Sequence, residues 1–184
     1  GPESDLEERF VSGEVVYSGH FLQVRRDMVR LPDGAITHRE YIHHPGAVAI
    51  LALTGAGGVI LERQHRYPLH RDFLEIPAGK VEPGEALLET ARRELLEETG
   101  FVAVEWVRIT TLHNAIGYSD EGIELYLARG LEQREQNLDA GEFLEVMEVP
   151  LGEAVSMVRD GRITDVKTMI ALLWLEAFET SSKG

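Results

Sequence analysis

A single predicted helix stands between two runs of predicted strands, and this order constrains the fold more than any other feature of the chain. The helix covers about residues 85–98, follows Pro83-Gly84 and ends at Gly100, a residue suited to a helix C-cap. Strands are predicted before it at 14–18, 21–30, 35–43, 46–54, 58–64 and 72–76, and after it near 102–112, 122–129 and 143–149. Two helices follow, at 150–159 and at 166–179, the second capped by Thr164 or Asp165. Strands grouped on both sides of one helix indicate an α+β fold rather than a doubly wound sheet.

Two strand regions carry strong local signals. Asp33-Gly34 predicts a hairpin between 21–30 and 35–43, because this dipeptide suits a tight turn. Residues 47–53 are apolar throughout, which predicts a buried central strand. Polar loops are expected at 113–121 and 131–142.

Charge and composition exclude several classes of function. The formal net charge of −14 argues against a nucleic-acid partner, because neutralising phosphates requires a basic face. The 184 residues include no cysteine, which excludes disulfides and thiolate chemistry and fits a reducing compartment. No apolar run reaches the roughly 18–20 residues needed to cross a bilayer, and no signal peptide is visible. We therefore expect a cytoplasmic protein without a membrane partner.

The predicted helix concentrates carboxylates on one edge. At about 100° per residue, Glu94, Glu97 and Glu98 fall within an arc of about 100°. Like charges at this spacing repel, so the arrangement needs a compensating positive charge. Arginines of the same helix and a divalent cation, which favours carboxylate oxygens, are two sources of that charge. An acidic, solvent-facing helix is the alternative that spacing alone leaves open.

A longer pattern distinguishes these alternatives. Gly79, five residues, Glu85, seven residues and then the run from Arg93 to Phe101 (RELLEETGF) match the complete Nudix box. The chain therefore resembles the Nudix hydrolases. That resemblance implies an α/β/α sandwich around a mixed β-sheet and hydrolysis of a nucleoside diphosphate linked to another group, with Mg²⁺ or Mn²⁺ as cofactor.

The resemblance also implies roles for residues of the box. Glu94, Glu97 and Glu98 are expected to bind metal, with the backbone carbonyl of Ala78 as an additional ligand, and Glu98 is expected to be essential for catalysis. Arg93 is expected to orient the glutamates through charge-assisted hydrogen bonds. Other predicted roles are a bracing one for Glu85 and a backbone requirement for Gly79 and Gly100.

Further stretches resemble the ADP-ribose pyrophosphatase group of this family. They are His43 to Ala49, Glu62 to Pro68, and Leu74 to Gly79 running into the box. Similarity covers most of 14–178 and implies two parts, an N-terminal strand extension at 1–45 and a Nudix domain at 46–184. In this group the N-terminal strands pair with a second subunit, so a homodimer is expected.

The predicted contacts with substrate come from several segments. Arg63 and Arg66 would meet phosphates, because a planar guanidinium suits phosphate oxygens; cross-strand salt bridges are the alternative. Glu75 would line the site near the metals, with a sheet-edge ion pair as its alternative, and Glu121 would position metal or the terminal ribose. Arg25 and Arg26 would contribute to an adenine-binding surface.

The catalytic base is expected on the acidic stretch 139–145. Glu142 matches best by position and Glu145 is second. A glutamate there could take a proton from the attacking water.

The predicted reaction is hydrolysis of ADP-ribose to AMP and ribose 5-phosphate. The group usually has a Ser-Pro-Gly loop after the box, whereas here Ile116 stands where the proline is expected. Another nucleoside diphosphate sugar and a dinucleoside polyphosphate therefore remain alternative substrates. A non-catalytic nucleotide-sensing module is a third alternative, although no box carboxylate is missing.

Overall fold

A computed structural model of the chain describes residues 4–179. Contacts between residues divide the chain into two compact units. The first comprises Gly1–Pro45 and His113–Gly122, and the second comprises Gly46–Leu112 and Ile123–Gly184. The predicted division into an extension at 1–45 and a Nudix domain at 46–184 stays a prediction. The loop at 113–122 has its contacts within the first unit.

The first unit is a three-stranded antiparallel sheet in the order β1-β2-β3. Its strands are β1 (Arg9–Ser18), β2 (Gln23–Arg30) and β3 (Ile36–His43). The predicted hairpin is confirmed: Gly34 adopts a φ of 89°, and the backbone N–H of Ala35 donates to Asp33 Oδ1 at 3.0 Å. The prediction started β1 five residues too late, because all ten of its side chains are exposed and give no alternating pattern.

The loop at 113–122 continues this unit by pairing with the end of β3. The backbone N–H of Ile42 donates to the Tyr118 carbonyl at 2.8 Å, and the N–H of Asp120 donates to the Ile42 carbonyl at 3.2 Å. Asp120 Oδ2 also lies 2.6 Å from His43 Nδ1, and its Oδ1 accepts from the His44 N–H at 2.7 Å.

The second unit contains two sheets and three helices. One sheet has the order β7-β4-β9-β8, and its β4 and β9 run parallel while the other neighbours are antiparallel. The other sheet is antiparallel, in the order β10-β5-β6. The bounds are β4 (Ala47–Ala52), β5 (Gly58–Arg66), β6 (Arg71–Glu75), β7 (Ala78–Lys80), β8 (Phe101–Leu112), β9 (Ile123–Gln133), β10 (Leu144–Pro150), α1 (Leu87–Thr99), α2 (Leu151–Arg159) and α3 (Val166–Phe178).

Strand β4 is the centre of this unit, as its apolar run predicts. Leu51 belongs to the core cluster that includes Leu172 of α3 and Ala154 of α2, while Ile50 belongs to the cluster that includes Leu95 of α1. Successive residues of a strand face opposite sides, so α1 packs on one face and the other two helices pack on the other. This confirms the predicted α+β fold and its α/β/α sandwich around a mixed sheet.

The local predictions differ from the structure mainly at element ends. The short β7 was not predicted, because three residues around Gly79 carry no strand pattern. Helix α1 begins at Leu87 rather than at 85, since Glu85 lies in a turn in which its N–H donates to the Glu82 carbonyl at 3.0 Å. Within the described residues, none of the helices is both long enough and apolar enough to span a bilayer.

Candidate active site

Arg93 of α1 is the centre of a cluster of box carboxylates. Its Nε and Nη2 donate to the two oxygens of Glu85 at 2.8 and 2.9 Å, which forms a bidentate ion pair. Its Nη1 donates to Glu94 at 2.8 Å and to Glu97 at 3.2 Å. One guanidinium therefore connects the turn before α1 with two carboxylates on the helix. Its predicted orienting role remains a prediction that these contacts support.

The same contacts change the acidity of Glu85. Hydrogen bonds from Arg93 and from the Thr90 hydroxyl, the latter at 2.6 Å, lower the pKa of Glu85 to about 2. Glu85 is therefore a permanent anion that holds Arg93 in place. The pKa of Arg93 is raised in turn, first by its hydrogen bond to Glu85.

Glycines at both ends of the box have different functions. Gly100 adopts a φ of 76° at the end of α1, a conformation that favours glycine, and its N–H donates to the Leu96 carbonyl at 2.9 Å. Gly79 has no such φ; instead, a Cβ at this position would collide with the side chain of Glu94. The backbone of β7 thus lies directly against one of the predicted metal ligands.

Glu94 is a partly buried carboxylate. Burial raises the pKa of Glu94 to about 7, although its ion pair with Arg93 acts in the opposite direction and Glu97 adds like-charge repulsion. Glu97 is half-buried, and its backbone carbonyl accepts from the N–H of Asn137 at 3.0 Å. The segment after β9 is therefore bound to the end of α1 that carries these carboxylates.

Glu98 is more buried than Glu94 and Glu97, and it contacts residues of β7 and β5. Its side chain is buried, and its Oε2 accepts from the Ala78 N–H at 3.3 Å. It also hydrogen-bonds the carboxyl group of Glu62 of β5. Burial raises the pKa of both groups, because a negative charge is disfavoured away from bulk solvent and beside a second carboxyl group.

Glu75, at the end of β6, forms ion pairs with two basic side chains. Arg66 donates to both of its oxygens at 2.8 and 2.7 Å, and Lys167 Nζ of α3 donates to one of them at 2.8 Å. Burial raises the pKa of Glu75, but these two cations outweigh it and the pKa lies below its ordinary value. The structure thus shows the ion-pair alternative for Glu75 and Arg66, and their contact with substrate remains a prediction.

Arg63 and Glu145 form a cross-strand ion pair. They are directly opposite in the register of β5 and β10, and Arg63 Nη2 donates to the two Glu145 oxygens at 2.6 and 2.7 Å. Here too the structure shows the salt-bridge alternative for Arg63. Glu145 therefore lies on a strand with its carboxylate engaged.

Glu142 lies in the turn before β10. Its N–H donates to the Asp139 carbonyl at 3.0 Å, and the residue is half-buried. Its negative charge is one of the smaller influences that raise the pKa of Glu94, Glu98 and Glu62, after burial. Of the two predicted bases, Glu142 is the one associated electrostatically with the box carboxylates.

Three predicted substrate residues belong to the first unit, where the structure gives each a local partner. Arg25 Nη2 donates to Asp27 at 3.3 Å, and Arg26 lies 4.0 Å from Glu40. Glu121 lies 3.5 Å from His44 Nε2. Their predicted roles stay predictions.

The donor chemistry of the second unit fits a hard divalent cation. Glu94, Glu97 and Glu98 supply only carboxylate oxygens, the ligands preferred by Mg²⁺ and Mn²⁺. Among residues 4–179, no three His, Asp or Glu side chains are already arranged as a metal-binding group. In the structure, the carboxylates of Glu94 and Glu97 both accept hydrogen bonds from Arg93 Nη1.

Sequence reasoning missed two buried residues of this region. Glu62 is a carboxylate at the end of an apolar run, and Lys167 is a lysine within the first turn of an apolar helix. A charged residue inside a hydrophobic pattern is the signal that could have indicated them.

The chain is similar in sequence to a known protein family. A family model described as "NUDIX domain" matches residues 43–172, and one described as "Nucleoside diphosphate sugar hydrolase N-terminal domain" matches residues 8–42. The chain therefore belongs to the Nudix family, as predicted, and the box at 79–101 lies within the matched domain.

Individual relatives are similar over nearly the whole chain. An ADP-ribose pyrophosphatase of Bacillus subtilis is 42% identical over 95% of both chains. A methanol dehydrogenase activator of Bacillus methanolicus is 39% identical over 95% of both. A crystal structure titled as an ADP compounds hydrolase has a TM-score of 0.85 at 21% identity, covers 99% of both chains and supports the fold alone.

Proposed function

We propose that this protein hydrolyses the pyrophosphate bond of ADP-ribose to give AMP and ribose 5-phosphate, with Mg²⁺ or Mn²⁺ as cofactor. The observation that carries the proposal is the 42% identity, over 95% of both chains, with a protein named as an ADP-ribose pyrophosphatase. The complete box supports it, because the carboxylates that a hydrolytic Nudix protein needs are all present on α1.

The metal would be held by Glu94, Glu97 and Glu98, with the Ala78 carbonyl as an additional ligand. These residues lie together on α1 and on the adjacent β7. A bound divalent cation offsets charge on the phosphates and makes water a better nucleophile at neutral pH. Arg93 would orient the carboxylates of Glu94 and Glu97, because its Nη1 donates to both.

Glu142 is the proposed proton acceptor. Water attacks one phosphorus of the pyrophosphate, a new P–O bond forms, the phosphoanhydride P–O bond breaks, and the proton of the water passes to the carboxylate. Glu145 is the second candidate, but both of its oxygens accept hydrogen bonds from Arg63. Of the two, Glu142 is therefore the better candidate for the base.

Arg66 and Arg63 are the proposed phosphate contacts, with Glu75 at the same site. About half of each arginine side chain is exposed although each is paired with a carboxylate, and a guanidinium has five N–H donors, so each keeps donors for an anionic substrate. Arg25, Arg26 and Glu121 are the proposed contacts with adenine and the terminal ribose.

We also propose a cytoplasmic homodimer. The support for the dimer is β1, an edge strand on which Phe10 and Tyr17 are 65% and 56% exposed. Exposed apolar edge strands are surfaces on which another chain can pair. Sedimentation equilibrium should give twice the chain mass, and cell fractionation tests the compartment.

A substrate panel tests the reaction. ADP-ribose resists alkaline phosphatase, whereas both of its hydrolysis products release phosphate, so coupled phosphate release with Mg²⁺ reports cleavage directly. We expect ADP-ribose to give the highest kcat/KM, ahead of GDP-mannose and diadenosine polyphosphates. A higher value for either competitor would overturn the substrate, and tight nucleotide binding without turnover of any compound would favour the sensing module.

Matched variants test the site. Glu98→Gln should lower kcat by several orders of magnitude without unfolding the protein. Glu89→Gln removes the same charge from an exposed position on α1 and should leave kcat unchanged. Chelation by EDTA should abolish turnover, and added Mg²⁺ or Mn²⁺ should restore it.

A further inference from the structure

Glu62 is a buried carboxylate on β5, outside the box, and the roles of the box residues do not explain why it is there. It lies on β5 directly after Val59, Ile60 and Leu61, all of them buried, and it is itself only 2% exposed. An apolar side chain at this position would continue the core without cost, whereas a buried carboxylate must be compensated.

The compensation within the protein is incomplete. Among the described residues, Glu62 Oε1 is the one buried side-chain oxygen or nitrogen of a non-exposed residue that has no hydrogen-bond partner. The nearest strand neighbour does not help, because Glu62 pairs in register with Glu75, another carboxylate. Arg66 and Lys167 bind Glu75 rather than Glu62.

The position of Glu62 directs it toward the box. Alternate residues of a strand share a face, so Glu62 lies on the same side of β5 as Ile60. Ile60 belongs to the core cluster that contains Ala91 and Leu95 of α1. On that side Glu62 hydrogen-bonds Glu98, which is 6% exposed and also comes from α1.

We propose that Glu62 is an additional metal-binding carboxylate of this site, contributed by β5 and directed at the cation through its unpartnered Oε1. The inference rests on the proposed function, since it requires that Glu98 and its neighbours bind a divalent cation. A cation there would satisfy the orphan oxygen and would offset the repulsion between the carboxyl groups of Glu62 and Glu98. The site would then combine ligands from α1 with one from a strand outside the box.

Mn²⁺ binding by itself, without substrate, tests the proposal. Titration calorimetry and the electron paramagnetic resonance signal of free Mn²⁺ both report affinity independently of turnover. Glu62→Gln keeps the shape of the side chain, and we expect it to raise the Mn²⁺ Kd by about 10- to 100-fold, as loss of groups that hold or orient a metal does. Glu89→Gln is the charge-matched control and should bind Mn²⁺ like the parent protein.

The thermal stability of the metal-free proteins separates a metal ligand from a merely structural residue. Without metal, Glu62→Gln should melt at the same temperature as the parent or higher, because it removes one of two opposed carboxylates. A Glu62→Gln protein that is folded and binds Mn²⁺ with the parental Kd would overturn the inference.

Two outcomes distinguish this inference from the proposed function. If Glu98→Gln loses Mn²⁺ binding and Glu62→Gln retains it, Glu62 is not a ligand and the metal site stands. If the parent protein binds no Mn²⁺ at millimolar concentration, the metal site and the role of Glu62 both fail.

Discussion

Replacing Lys167 by methionine is the change for which the structure predicts the clearest loss of stability. Lys167 is 9% exposed, and its Nζ donates to Glu75 at 2.8 Å and to Asp165 at 2.9 Å. Asp165 also caps α3 through the Thr168 N–H. One ammonium group therefore joins the last residue of β6 to the beginning of α3.

The size of the loss follows from what is left behind. Removing one partner of a buried ion pair costs roughly 3–5 kcal/mol, because the other charge stays buried. Glu75 keeps its two hydrogen bonds from Arg66, so we expect the lower end, about 3 kcal/mol. For a chain of this length, that corresponds to a decrease in Tm of about 6–12 °C.

Thermal denaturation of a double-mutant cycle measures this coupling. The cycle uses Lys167→Met, Glu75→Gln and the double variant, and the double variant should be more stable than the sum of the single losses predicts. Arg162→Ala is the control, since Arg162 and Asp160 form an ion pair with both side chains about half exposed and its loss should barely change Tm.

Two results would refute the reasoning. A Lys167→Met protein with the parental Tm would show that the buried ammonium contributes no net stability. Single losses that add to the double loss within about 0.5 kcal/mol would show that Lys167 and Glu75 are not coupled.

Three other predictions test the box and the loop at 113–122. Gly79→Ala places a Cβ against Glu94, so kcat/KM should fall more than tenfold, as roughly expected for a displaced metal ligand, while circular dichroism stays unchanged; parental kcat/KM would contradict it. Arg93→Lys keeps the charge but loses the bidentate pair with Glu85, and kcat/KM should fall about 10- to 100-fold in steady-state assays; a smaller change would show that a point charge suffices. For Asp120, burial raises the pKa, but hydrogen bonds from His43 and His44 outweigh it and the pKa is lowered. Its contribution to stability should be present above about pH 4, the ordinary pKa of aspartate, and should disappear as the pH falls through the lowered value. The Tm difference between the parent and Asp120→Asn should therefore vanish at low pH, and a difference that persists at pH 2 would contradict this.

Much of the fold was predictable because its signals are local. The apolar run at 47–53, the Asp33-Gly34 turn and the glycine after α1 each specify a structure within a few residues, and each prediction agrees with the structure. The start of β1 was missed for the opposite reason: a strand exposed on all its residues has no buried face to produce a pattern.

The spacing of the box likewise identified the cluster around Arg93. Residues three and four apart on a helix are neighbours, so Glu94, Glu97 and Glu98 had to lie close together once α1 formed. Arg63, Arg66 and Glu75 were harder, because the same residue types suit either phosphate contact or ion pairing. The register of β5 with β10 places Arg63 opposite Glu145, and Arg66 reaches Glu75 on the neighbouring β6.

Motif spacing was thus sufficient to indicate the family, and the resemblance to that family implied the sandwich. Helix period was sufficient for the carboxylate-bearing face of α1. Packing was required to bring Glu62 beside Glu98 and Lys167 beside Glu75, residues separated by 36 and 92 positions. The physical reason is that a buried charged group pairs with a residue of the element that packs against it. Sheet register and helix packing determine which element that is, and neighbours along the chain do not.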